Sequence, residues 1–171
     1  MQILRVVDRI TDAAAFIGVC AIMPLVVIMT FEVVSRYAFN EPTSWAFELS
    51  WMLMGVIFIM GIAYALRRDE HVRVDLIYGT YSPRRRAALD VFGFLLVLPC
   101  IYLAGTHMAL YALEAYRSGE VSGASAWNPV LWPFRAALAF GLIVFLLQLI
   151  AELVRALRVL ITGVIEARDH V

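Results

Sequence analysis

"AAAFIGVCAIMPLVVIMTF", residues 13–31, carries no charged side chain over nineteen positions. An uncharged apolar run of about 18 or more residues is long enough to cross the hydrocarbon core of a bilayer as a helix. A cleaved signal peptide is the competing explanation, but its apolar core covers only about 7–15 residues and ends at a small-residue cleavage site. Here the run is longer and passes into "EVVSRYAFN", residues 32–40. The solvent of this segment is lipid.

Three further runs have the same character. Residues 49–66 lie between Glu48 and Arg67, and residues 91–113 between Asp90 and Glu114. Residues 136–151 are shorter, but Pro133 and Phe134 extend them, Arg135 can snorkel, and Pro133 suits a first helical position. The composition agrees, with 63% apolar and 16% charged residues, against roughly 45–50% and about 25% in soluble domains. The expected fold is an all-α integral membrane protein in one membrane domain, residues 1–171. Its four transmembrane helices cover about 13–36, 44–66, 87–113 and 133–155. Amphipathic flanks over 1–12, 71–81 and 152–166 leave the membrane, lie along its surface or continue the helices into water.

Composition also excludes several functions. The formal net charge is zero, so no overall field draws nucleic acid. The two cysteines, Cys20 and Cys100, sit inside apolar runs and lack the number and spacing of a disulfide framework or a metal site. No phosphate-binding G-x-x-x-x-G-K-[ST] stretch occurs, so ATP hydrolysis is not expected. The central layers of the four runs are almost wholly apolar, and no pair of broken, acid-lined spans marks a substrate or Na⁺ site. The chain reads as a non-enzymatic scaffold without cofactor, in contact with membrane lipids and something larger.

All fourteen basic residues are arginines. Eleven lie in the N-terminal segment, the second connection and the C-terminal tail, and only Arg36, Arg117 and Arg135 lie in the first and third connections. Arginine excess marks cytoplasmic segments, so both termini of a multi-pass protein are expected in the cytoplasm.

Ionisable groups near the apolar layer are costly and therefore informative. Glu32 and Arg36 stand four apart, acid first, which is the favourable helical pairing, among Tyr37, Phe39 and Trp45. They mark where the first helix leaves the lipid, or Arg36 bridges to Glu48 or to a partner. Ser44 can cap the second span, with Glu48 in its first turn, and Ser82-Pro83 repeats the device before the third. Trp127 and Trp132 read as interfacial anchors. Pro24 and Pro99 lie near the middle of their spans, where kinks are expected. His107, in the outer third of the third span, reads as a group that hydrogen-bonds between helices.

The second connection, "RRDEHVRVDLIYGTYSPRRR", holds "HVRVD", which resembles the H-[IV]-x-V-D signature of the small membrane subunit of TRAP transporters, the DctQ-type family. "SRYAFNEPTSWAFELSW" resembles that family's R-Y-x-F-N…W-x-x-E-L region, and "ASAWNPVLWPFR" looks like the third connection of one branch. The resemblance implies a subunit that pairs with a large many-span permease, with a periplasmic substrate-binding protein delivering the solute. It implies uptake driven by an ion gradient, with the substrate path in the large subunit and this one as scaffold. Carried over by motif, the positions are Arg36, Tyr37, Asn40, Trp45, Glu48, His71 and Asp75, joined by Glu32, His107 and Arg135 from the reading of the residues. Many members have two acids before the Leu of the E-L pair, whereas Phe47 precedes Glu48 here. His71 and Asp75 would face each other on a short surface helix. The branch is associated with organic acids. Two rival functions are a four-helix anchor of a haem or quinone oxidoreductase, which needs depth-matched histidines, and a small autonomous dimeric transporter.

Overall fold

The computed structural model describes residues 2–68 and 82–162, with Pro83 described in its backbone alone. Four helices hold most of them: α1 (Gln2–Ala38), α2 (Ala46–Arg67), α3 (Pro83–Ser118) and α4 (Trp132–Thr162). Each contains a stretch long and apolar enough to cross a membrane. Hydrocarbon offers no hydrogen bonds to an open backbone, so a spanning segment must satisfy its own N–H and C=O groups, as a helix does. Pro24 and Pro99 lie inside α1 and α3 without ending them.

Residues 2–12 form the first turns of α1 and residues 152–162 the last turns of α4, so in the described residues these flanks continue the spans. At 37 residues, α1 is about 55 Å long, well beyond the ~30 Å hydrocarbon core. The flank over 71–81, with His71 and Asp75, lies outside the described residues.

The helix ends depart from expectation in one respect. Ser44 does not cap α2; the N-cap is Trp45, which makes no side-chain capping bond. Its ring instead stacks near Phe31 of α1, centroids 6.1 Å apart, so aromatic packing fixes this end. α3 starts at Ser82-Pro83, where the fixed ring of proline suits the first helical position. It stops at Gly119, whose left-handed φ of 65° favours glycine.

The helices run alternately up and down. α1 packs on α2, α2 on α4, and α3 chiefly on α4, which also touches α1. α4 is therefore the hub. Of its most apolar stretch 44% is buried, against 11% in α1 and in α3. Small residues set the α2–α4 approach. A side chain on Gly141 would meet Ile59 at 2.7 Å, and one on Gly55 would meet the Phe134 ring at 2.9 Å. Gly18 of α1 likewise faces Met60. The core beside them is built from Ala14, Met60, Ala63, Val144, Phe145 and Leu149. Without a hydrophobic drive between helices in lipid, such close contact is what holds a bundle together.

Gly141→Val should therefore overpack the α2–α4 seam and destabilise the bundle by about 1–3 kcal/mol. Thermal unfolding in detergent, followed by circular dichroism, should show a lower Tm, partly restored by adding Ile59→Ala. An unchanged Tm would mean that the two helices do not meet at this level.

Candidate functional site

Away from the termini, the bundle is closed by a clamp centred on Glu32, which is buried. Its Oε1 accepts hydrogen bonds from Arg36 Nε at 2.9 Å and from the Arg36 Nη2 group. Its Oε2 accepts from the Thr43 backbone N–H at 3.0 Å and from the Thr43 hydroxyl. One carboxylate thus ties the last turns of α1 to the far side of the first loop. The turn between them uses Asn40 at a positive φ of 56°, which asparagine tolerates, and the Ser35 hydroxyl donates to the Glu41 carbonyl at 2.5 Å. Tyr37 is 82% exposed and belongs to the outer surface of this end.

Arg36 does not reach across to Glu48. The i, i+4 acid on its own helix takes the guanidinium, which orders no loop to do so. Glu48 is completely buried, and neither of its carboxylate oxygens has a hydrogen-bond partner among the described residues. Its position in the first turn of α2 gives it the positive end of the helix dipole, worth up to about 2 kcal/mol in partly buried settings.

The third connection forms a second clamp. An antiparallel bridge joins Val121 and Val130, and the Ser122 N–H donates to the Pro129 carbonyl at 2.9 Å. The Asn128 side chain accepts from the Gly123 N–H at 2.6 Å. This small hairpin presents Glu120 to Arg135, which grips it with two parallel bonds of 2.6 and 2.7 Å. Arg135 also lies over the Tyr111 ring of α3. It is held by these partners rather than snorkelling freely. Tyr116 meets Trp132 edge to face at 5.4 Å beside it.

Near the termini lies a network that the sequence did not announce. Arg155 donates to Asp8 Oδ2 and to Glu152 Oε1, both at 2.5 Å. Gln148 donates to Glu152 at 3.0 Å and to Asp8 at 3.3 Å, and its Oε1 accepts from the Thr11 hydroxyl at 2.8 Å. Arg67 of α2 pairs with Asp8 and Asp12. Thr11, Gln148 and Glu152 are buried. Gln148 lies sixteen residues from Trp132, about 24 Å along α4, so with Thr11 it carries polar groups into layers expected to be almost wholly apolar. Asp8 and Asp12 in α1, and Gln148, Glu152 and Arg155 in α4, share helical spacings of three or four. That local signal was available; which helix they would meet was not.

His107 does not hydrogen-bond to a neighbouring helix among the described residues. It lies exposed on α3. Two outcomes test the polar groups. Arg155→Met removes the cation that bridges Asp8 and Glu152, and should cost about 3–5 kcal/mol, as breaking a buried pair does. Glu48→Met removes a buried polar group that has no hydrogen-bond partner among the described residues, and should raise stability by about 1–2 kcal/mol. Thermal unfolding in detergent reads both; a destabilised Glu48→Met variant would reveal a partner for that carboxylate.

The comparisons with known proteins agree with this architecture. Residues 25–159 match the family model described as "Tripartite ATP-independent periplasmic transporters, DctQ component", a family of transporter components and not of enzymes. Over 76 residues the chain is 33% identical to the sialic acid TRAP transporter permease protein SiaT of Haemophilus influenzae, covering 44% of this chain and 12% of that one. It is 25% identical over 89 residues to the sialic acid TRAP transporter small permease protein SiaQ of Vibrio cholerae, covering 52% and 51%. It is 25% identical over 120 residues to the ectoine TRAP transporter small permease protein TeaB of Halomonas elongata, covering 70% and 62%. The matches thus span less than two thirds of each relative's length. With the family model matched over well more than half of its length, the chain belongs to the DctQ component family of the tripartite ATP-independent periplasmic transporters.

Proposed function

We propose that this chain is the small membrane subunit of an ion-gradient-driven uptake transporter for organic acids. It acts as a scaffold for a large permease subunit and has no substrate path of its own. A periplasmic binding protein delivers the solute. The chain sits in a bacterial inner membrane with both termini in the cytoplasm.

One observation carries the scaffold reading. Between the ionic network near the termini and the Glu32 clamp, the described interior is filled by Met60, Ala63, Val144, Phe145 and Leu149. A solute with charges needs polar groups along its way, and this seam offers it none. Other features support the rest. The match to SiaT covers only 12% of a much longer permease chain, which favours a unit of this kind working joined to a permease. The relatives are named for sialic acid in two cases and for ectoine in the third, and an organic acid is the class proposed here. The bundle end that carries Arg67, Arg68, Arg155 and Arg158 is also the richer in arginine, as a cytoplasmic face would be.

The test is reconstitution. Liposomes holding this chain alone should take up no organic acid under an imposed Na⁺ gradient. Liposomes holding it with the large subunit, and supplied with the binding protein, should. Arg36→Ala, which leaves Glu32 without its cation beside the first loop, should lower uptake several-fold by weakening assembly. Accumulation by the chain alone would overturn the scaffold reading, and so would full transport by the large subunit without it.

A further inference from the structure

α3 turns one face to α4, through Phe94, Leu98 and Ile101 against the core and Gly105 against Leu142. Its opposite face looks away from the bundle. Cys100, Leu103, Ala104 and His107 fall there within one helical stripe, and all four are exposed. The depth of His107 on this stripe can be estimated. From Arg86 to the interfacial Tyr116 the helix rises through thirty residues, about 45 Å, the thickness of a bilayer with its headgroups. The middle falls at Ile101, so His107 lies about 9 Å from it, within the ~15 Å half-thickness of the hydrocarbon.

An imidazole at that depth carries one donor and one acceptor even when neutral. It makes no hydrogen bond among the described residues, and acyl chains have none to offer. Polar groups inside the membrane characteristically face protein or a wet cavity. The exposed stripe of α1 behaves differently: Phe16, Val19, Met23 and Val27 offer hydrocarbon to hydrocarbon. Beside His107, the small side chains of Cys100 and Ala104 leave room for a second helix to come close.

We propose that this face of α3, centred on His107, is the surface on which a transmembrane helix of the large permease subunit docks, and that this helix supplies a polar side chain to the imidazole. The proposal rests on the subunit reading above, and it names the face. α1, in contrast, looks into lipid.

The experiment is co-purification. The tagged chain is co-expressed with the large permease subunit of its transporter, and the permease recovered in mild detergent is quantified. His107→Leu should lower recovery at least threefold, and His107→Gln, which keeps hydrogen-bonding capacity, should restore most of it. Leu103→Trp, which adds bulk on the same face, should lower recovery at least tenfold. Met23→Trp on α1 should leave it unchanged. Circular dichroism and a single monodisperse peak for each variant alone keep misfolding apart from lost docking. If the wild-type chain recovers no permease, the subunit reading itself fails. If it does, and both His107→Leu and Leu103→Trp recover as much, only the assignment of the face is overturned. A wild-type chain that is dimeric alone, and monomeric as His107→Leu, would make the occupant a second copy and would equally overturn the proposal.

Discussion

Hydrocarbon cannot satisfy a hydrogen bond, and that single constraint organises this molecule. It makes each apolar run a helix. It also sends nearly every buried polar side chain to another within the chain. Glu32 uses both carboxylate oxygens on Arg36 and Thr43. Gln148 uses both ends of its amide on Thr11, Asp8 and Glu152. Between these polar ends the bundle relies on shape alone, with glycines at 55 and 141 admitting Phe134 and Ile59. Among the described residues Glu48, enclosed without a hydrogen-bond partner, and His107, exposed on α3, depart from this rule.

The polar ends do different mechanical work. The Glu32 clamp is local, joining residues no more than eleven apart, and it shapes a loop. The Glu120–Arg135 pair closes the hairpin of the third connection onto the start of α4. The network near the termini is long-range. It joins residues 137 to 147 positions apart, and with Arg67 it ties together α1, α2 and α4. Polar contacts thus fasten the bundle at both ends, and glycine-seated side chains interlock it between them.

What could be read from the residues follows from range. The four spans and the Glu32–Arg36 pair are local patterns, with periods and spacings that the chain itself displays. The pairing of Arg36 with Glu48 was a reasonable alternative, and it lost to the nearer acid on the same helix. The partners of Asp8, Arg155 and Gln148 were not legible, because nothing in spacing says which helix will come alongside. The cap of α2 was misplaced by one residue because Trp45 settles there by stacking on Phe31, not by bonding a backbone N–H. The residue type of His107 points to a hydrogen bond between helices, but the face it occupies depends on where α4 packs, which spacing does not show.

The position of α4 at the hub has a consequence for biogenesis. During synthesis α1 and α2 can pair as a hairpin as soon as both have entered the bilayer. α3 enters next and finds its main neighbour missing, since its chief contact is α4. Until the fourth span is threaded, the third is a lone helix in lipid, and Asp8 lacks the arginine and glutamine that α4 brings. The bundle can therefore close only once its last span has been threaded, because that span is the one the other three share.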